Sequence, residues 1–529
     1  MAETLQVAHI PIGLDGFNGS NNLSQMQITE LSDATNISYE QNLIQKEGGA
    51  LKLNAAAQES GADIIAGIYW EPTTAAQYDI IYINKKLLRD TNGDGFATGV
   101  STLRTATTAV TIAQFIEAGN ESGTDNRKLF VVDGANAVEY VDGTDATTTA
   151  LDNASPDWTG TNQPITGAVH EDRLWLAGNA NDPHRVYYSQ IDNHADFTSA
   201  TSGQLTVFPG EAGAIKGIVS FKGFLIVFKQ YGVYYINTTD AVLANWKVGR
   251  VSRHIGCLSP MAMDVVDDDI LFIDQVGMLR ALSTLNEFGS FGTKTLSDEH
   301  DMNRWIQSHI SYAYIHLARL HYFPGKREVH AAIPINAATA NNIRIIMDFS
   351  EGRMRYRLVD RDDCYSMWER RPSAVPEMAF GDGSGYVYRL YQETRTKDGA
   401  YVARFETAPT DFSDQDPQFG TRNKHGHYLE MSFEAASAGV LNVDIIWDNV
   451  VYQTVEFTLE GVGAALGSFV LGTDTLSGSS SLKNIRKRIV GQGRRFALAG
   501  KHTGDEQNFK LAEAFLGFKM ADHRIQRGE

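Results

Sequence analysis

Between residues 78 and 391 one pattern returns seven times: an apolar, β-rich run, a turn rich in Gly, Asp or Asn, and a second such run. The copies are "YDIIYINKKLLRDTNGDG" (78–95), "RKLFVVDGANAVEYVDG" (127–143), "EDRLWLAGNANDPHRVYYSQ" (171–190) and "KGFLIVFKQYGVYYIN" (222–237). "DDDILFIDQVGMLRAL" (267–282) follows, then two looser copies, "REVHAAIPINAATANNIRIIMDF" (327–349) and "PEMAFGDGSGYVYRLY" (376–391). Two short strands about a turn that tolerates positive φ make a β-hairpin. One hairpin cannot bury its own faces, so such units stack. Spacings of roughly 45 to 60 residues leave room for about four strands per unit. The pattern predicts a β-propeller of about six to eight blades, each hairpin forming the middle of its blade.

Helical periodicity is almost absent before residue 295. "LSDEHDMNRWIQSHI" (296–310) predicts one helix, with Ser297 as N-cap and Asp298, Glu299 and Asp301 in its first turn. Around residue 410 the texture changes. "TAPTDFSDQDPQFGTRNKHG" is rich in Pro, Asp and Gly and reads as a linker. Beyond it lie alternating strands, too few for another propeller and suited to a small β-sandwich. The Gly/Ser-rich "LGTDTLSGSSSLKN" (471–484) reads as a flexible loop inside it. The expected organisation is all-β: an extended N-terminal arm leading into the propeller over 1–55, the propeller over 56–410, a linker over 411–427 and a sandwich-like domain over 428–529.

Hydrophobic residues make up 43% of the chain and charged ones 21%, so a sizeable core is expected. No apolar run is long enough to span a membrane, and "MAETLQVAHIPIG" has neither the basic nor the apolar region of a secretory signal. Cys257 and Cys364 stand far apart with no CxxC spacing, which predicts buried reduced thiols rather than a disulfide or a zinc knuckle. The net charge of −18 argues against a grip on nucleic acid by phosphate neutralisation, and suits a surface that DNA passes without sticking.

The sharpest local motif is "DTNGDG" (90–95). Asp90, Asn92 and Asp94 match the first half of a calcium loop, but Ser101 stands where the bidentate Glu belongs, and strand-like runs flank it. A hairpin turn and a calcium site are the two readings, with the turn preferred. His425 and His427 would share one face of a strand, without an evident third ligand. "GVGAALG" (461–467) lacks the spacing of a phosphate loop, and neither GxSxG nor HExxH occurs, so no catalytic residues and no cofactor are expected. One basic cluster stands out, "NIRKRIVGQGRR" (484–495), with Arg486, Lys487 and Arg488 at its centre. It reads first as a contact for an acidic neighbour such as a second copy of the chain, then as a solvated face, then as a nucleic-acid patch.

The segment "LSDATNISYEQNLIQKEGG" (31–49) resembles the N-terminal arm of tail nozzle (hub or tubular) proteins of short-tailed bacteriophages. In that family an A-x-N turn, an aromatic residue and a basic tip ending in two glycines lead into a propeller. Ala34, Asn36, Tyr39, Leu43, Ile44, Lys46, Gly48 and Gly49 match; the family's usual Arg-Pro-Gly or Arg-Gly-Gly tip is here Lys46-Glu47-Gly48-Gly49. "HEDRLWLAGNANDPHRVYYSQIDNHADF" (170–197), "IGCLSPMAMDVVDDDILFIDQVGMLRAL" (255–282), "GQGRRFALAGKH" (491–502) and "FLGFKMADH" (515–523) are similar to later blades and to the final strands. The resemblance implies a structural virion protein assembled in the host cytoplasm. It would form a homo-oligomeric ring, commonly of six copies, against the portal-adaptor protein, with a tail fibre or spike as a further partner. Genomic DNA would leave through the ring without sequence-specific binding. The arm would lock the ring, with Asn36, Tyr39 and Lys46 at the subunit contact. The rival reading is a propeller-type adhesin or glycan-degrading enzyme of a phage tail, with its site at the mouth of the propeller channel.

Overall fold

The computed structural model describes residues 4–40, 42–119, 126–152, 154–284, 291–372, 374–434, 437–459 and 482–521. The chain is 51% strand and 6% helix. Six sheets are four-stranded blades of a β-propeller. Five form from consecutive antiparallel strands: blade 1 (64–105), blade 2 (114–150), blade 3 (166–206), blade 4 (215–252) and blade 5 (263–295). The closing blade takes Ser366–Arg370, Glu377–Gly381 and Val387–Gln392, and receives its outermost strand, Gly49–Lys52, from the N-terminal region. A further set of four antiparallel strands (319–359), here called the bridging blade, stands between blade 5 and the closing blade and continues into a ten-stranded sheet.

Every hairpin read from the sequence is the second and third strand of one of these units. The middle strands are buried from end to end, as in Lys128–Val132 and Arg173–Ala177, because neighbouring blades cover both faces. Glycines on the inner strands let those faces close. A Cβ on Gly67 of blade 1 would sit 2.2 Å from the Trp368 ring of the closing blade. Ile116 approaches Gly167 and Met263 approaches Gly217 in the same way at other blade junctions. Trp368 cannot withdraw: its indole N–H donates to Asp79 (3.2 Å), which also holds the Arg370 guanidinium at 2.6 Å.

Beyond the propeller lies a β-sandwich. One layer is a seven-stranded sheet built on Lys424–Glu434 and Lys510–Met520; the other is the outer half of the ten-stranded sheet, with Ala403–Thr407, Phe496–His502, Gly439–Trp447 and Val450–Leu459. Leu429, Met431, Phe433, Leu516 and Phe518 from the first layer and Leu441, Val443, Ile445 and Leu498 from the second share one core. Their spacing of two follows from the strand pleat.

The N-terminal region is not a free arm. Gln6–Pro11 pairs with Lys510–Met520 along six positions. Glu30–Thr35 lies between the bridging blade and Ala403–Thr407, and joins the propeller sheet to the sandwich sheet. The hairpin Ile37–Glu40/Leu43–Lys46 adds to the seven-stranded sheet, and Gly49–Lys52 closes the propeller. Ala8, Ile10, Ile12, Leu31, Ile37 and Ile44 are buried in the common core, so the region belongs to the body of the fold at about 1.5–3 kcal/mol per large apolar side chain.

Two boundaries also shift. Ala403–Thr407 is a sandwich strand rather than propeller. The expected linker (411–427) carries Phe412 and Phe419, both packed on Phe518, and its last four residues already lie in Lys424–Glu434. The helix is shorter than expected, Met302–His309. His300 and Asp301 adopt left-handed φ, so Asp301 rather than Ser297 is its N-cap. The stretches 461–467 and 471–481 lie outside the described residues. Both thiols are buried and unpaired, and burial raises each to about 12.

Candidate functional site

The residues matched to the nozzle arm converge inside the molecule. Asn36 has φ 54, a region that Asn tolerates better than most residues. Its Nδ2 donates to Asp360 Oδ1 (2.6 Å) and to the Val402 carbonyl (2.8 Å), and its Oδ1 accepts from the Asp360 amide. Tyr39 donates its hydroxyl to the Tyr356 carbonyl (3.1 Å), beneath the Arg355 guanidinium. Lys46 Nζ donates to the Gly504 carbonyl (2.5 Å) and lies 4.2 Å from the centre of the Tyr401 ring; burial lowers the amine to about 8. All three side chains are buried within their own chain, so none is presented to another subunit. The Lys-Glu-Gly-Gly tip is a staple. Glu47 meets Arg357 Nε at 3.0 Å, Arg357 also meets Glu328 at 3.0 Å, and Arg361 donates to the Gly48 carbonyl.

Arg486, Lys487 and Arg488 stand on the strand Leu482–Arg488, the outer edge of the seven-stranded sheet. Arg486 pairs with Glu430 (2.5 Å) and lies 4.2 Å from the centre of the Tyr428 ring. Lys487 and Arg488 form no ion pair among the described residues. The outer edge of the other layer, Val450–Leu459, lies alongside: the Val490 amide donates to Gln453 Oε1 (2.9 Å). Val450, Val451, Tyr452 and Val490 are each about half exposed here, at 57%, 55%, 48% and 52%. One side of the sandwich therefore combines two sheet edges, cationic side chains and apolar surface.

The remaining sequence candidates have local roles. Asp90 accepts four backbone amides, those of Asn92, Gly93, Gly95 and Phe96, at 2.7–3.1 Å. Asp94 accepts from Ala97 and Thr98, and Asn92 donates to Thr98 Oγ1. Both carboxylates organise the loop between the third and fourth strands of blade 1. His425 and His427 are exposed on Lys424–Glu434. Among the described residues no three His, Cys, Asp or Glu side chains are grouped to hold a metal ion.

Sequence reading pointed to the mouth of the propeller channel only for the rival reading and named no residues there. All inner strands begin at one face, where Thr111, Lys216, Leu258, Pro260 and His316 line a cavity of about 440 Å³. Nearer the other face a cavity of about 570 Å³ is lined by Glu71, Glu117, Asp264, Glu369, Arg127 and Arg371, among others. There Arg127 lies 3.7 Å from Glu71 and Arg371 2.5 Å from Glu369. Arg319, the first residue of the bridging blade, reaches the segment that leads into blade 2, where its Nη2 donates to the Thr111 carbonyl (3.3 Å). The guanidinium thus touches the wall of the first cavity at Thr111.

No protein-family model matches the chain, and no curated protein sequence matches it. Among solved structures, it is similar to PorZ, a surface component of the type-IX secretion system of Porphyromonas gingivalis. The identity is 14% and the TM-score 0.38, over 65% of this chain and 38% of PorZ. It is also similar to YCF48 in a complex with D1 peptide, at 12% identity and a TM-score of 0.40, over 68% of this chain and 98% of YCF48. At these values the likeness carries no functional argument.

Proposed function

We propose that this chain is a structural subunit of a short phage tail, a nozzle or hub protein that acts as one of several copies in a ring. The observation that carries the reading is the side of the sandwich where, among the described residues, two sheet edges stand without a further strand. Strand edges invite pairing unless they are blocked, and this side pairs two edges with half-exposed Val and Tyr side chains and with cations on a chain of net charge −18. A second copy, itself of net charge −18, is the partner that this combination fits best. The resemblance of residues 31–49 to the nozzle arm supports the same reading, with the arm serving as an internal brace rather than as a ring lock. In this reading the DNA path runs through the centre of the ring of copies.

Light scattering and negative-stain imaging of the full chain, alone and with the portal-adaptor protein, test the proposal. Rings are expected, and the double variant Lys487→Glu/Arg488→Glu is expected to weaken them without loss of folding. A chain that stays monomeric in both conditions overturns it. Tight binding to duplex DNA that fades with salt would assign the basic edge to nucleic acid instead.

A further inference from the structure

The cavity where the inner strands begin has an unusual charge balance for so acidic a chain. Lys216, on the inner strand of blade 4, and His316, in the turn before the bridging blade, both line it. Arg319 reaches its wall at Thr111 and is 4% exposed. The Arg319 guanidinium donates only to carbonyls, those of Leu317 (2.8 Å), Ala318 (3.3 Å) and Thr111 (3.3 Å), and its Nε has no partner. Neither Lys216 nor His316 nor Arg319 forms an ion pair among the described residues. Asp133 is the one carboxylate on the wall, and it is already engaged. It accepts from the Ala135 and Asn136 amides, the Asn136 side chain and the Tyr82 hydroxyl, and Arg104 lies 3.7 Å away.

A buried cation without a counter-charge is costly and is normally paired. The proton affinities agree with that strain. Burial lowers the amine of Lys216 and takes Arg319 down to about 10; His316 is lowered first by burial and further by Lys216 and Arg319. An anion seated among these groups would relieve all three. The cavity is within the size range of small-molecule sites, and Leu258, Pro260 and Val110 supply apolar wall.

We propose that this axial mouth binds a small oxyanion, a carboxylate or phosphate group, held by Lys216 and His316 with Arg319 as the buried counter-charge behind them. The site stands apart from the sandwich edge and does not depend on ring formation.

The test is calorimetric titration of the full chain in low-chloride buffer with inorganic phosphate in one arm and succinate in the other. Saturable binding in either arm supports the site, and the stronger arm names the source of the charge. Lys216→Gln is expected to weaken that binding by roughly tenfold or more. Without ligand, the same variant should melt no lower than wild type, since it removes an uncompensated charge. No saturable binding in either arm at millimolar concentration overturns the proposal. So does binding that Lys216→Gln leaves unchanged.

Discussion

The carboxylate of Glu47 lies 3.0 Å from the Nε of Arg357, a residue 310 positions later, and both side chains are at most 2% exposed. This pair ties the N-terminal region to the outer strand of the bridging blade. Removing one partner of a buried ion pair leaves the other charge unmet. Glu47→Ala should therefore destabilise the fold by about 3 kcal/mol, and Glu47→Gln by less, because Arg357 keeps Glu328. The shift in urea midpoint measures the effect. A midpoint equal to wild type in Glu47→Ala would remove the pair from the list of structural ties.

Deletion of residues 1–52 should prevent folding rather than free a propeller. It strips the closing blade of its fourth strand and removes the strand that joins the propeller sheet to the sandwich sheet. The expected product is insoluble, or lacks a cooperative melt by circular dichroism. A soluble truncated protein with the wild-type melting temperature would contradict the internal role of this region.

Gly67→Ala should loosen the junction where the propeller ring closes. Its Cβ would lie 2.2 Å from a Trp368 ring pinned by Asp79, so neither partner can move without loss. Overpacking of this kind costs about 1–3 kcal/mol. Differential scanning calorimetry should show a lower melting temperature, whereas an Ala substitution at Gly119, which has open space and no positive φ, should cost less.

Stability should begin to fall as pH drops below about 6.5, well before carboxylates titrate. His170, His184, His316, His330 and His502 all have proton affinities lowered first by burial, and His330 falls to about 3. Such a group is neutral in the fold. Its contribution is complete above the unfolded value and is lost as pH falls through the folded one. His300 has the opposite sign, being raised by its hydrogen bond to Glu30; its contribution is present at low pH and lost as pH rises. Five against one leaves a net loss toward acid. A melting temperature unchanged from pH 7 to pH 5 would refute this balance.

The blades were legible because their middle hairpins carry local signals. In "KGFLIVFKQYGVYYIN", apolar alternation and a two-sided turn give the second and third strands of blade 4 without outside information. The fate of residues 4–52 was not legible, because the pairings that tie Gln6–Pro11, Glu30–Thr35, Leu43–Lys46 and Gly49–Lys52 into the fold reach strands hundreds of residues away. Polar runs such as "LSDAT" look solvated until the sandwich is seen to cover them. "RMRYRLVDRDD" misleads for the same reason. Arg355 and Arg357 alternate with Tyr356 and Leu358 like one face of an exposed strand, yet both arginines are buried against Asp348, Glu47 and Glu328. Of the candidate sites, the basic edge could be read as a cluster of like charges. The axial cavity could not, since Lys216, His316 and Arg319 become neighbours only when the blades close.

The pairing of Gln6–Pro11 with Lys510–Met520 also sets a schedule for synthesis. At about 5–20 residues per second, the first strand waits on the order of a minute before its partner leaves the ribosome. Until then Ala8 and Ile10 have no sheet to enter, and Gly49–Lys52 waits in the same way for Val387–Gln392. A chain cut short at any point before the last strand keeps its apolar beginning uncovered, visible to chaperones and proteases. Burial of Ala8 and Ile10 thus depends on the synthesis of Lys510–Met520, some five hundred residues later.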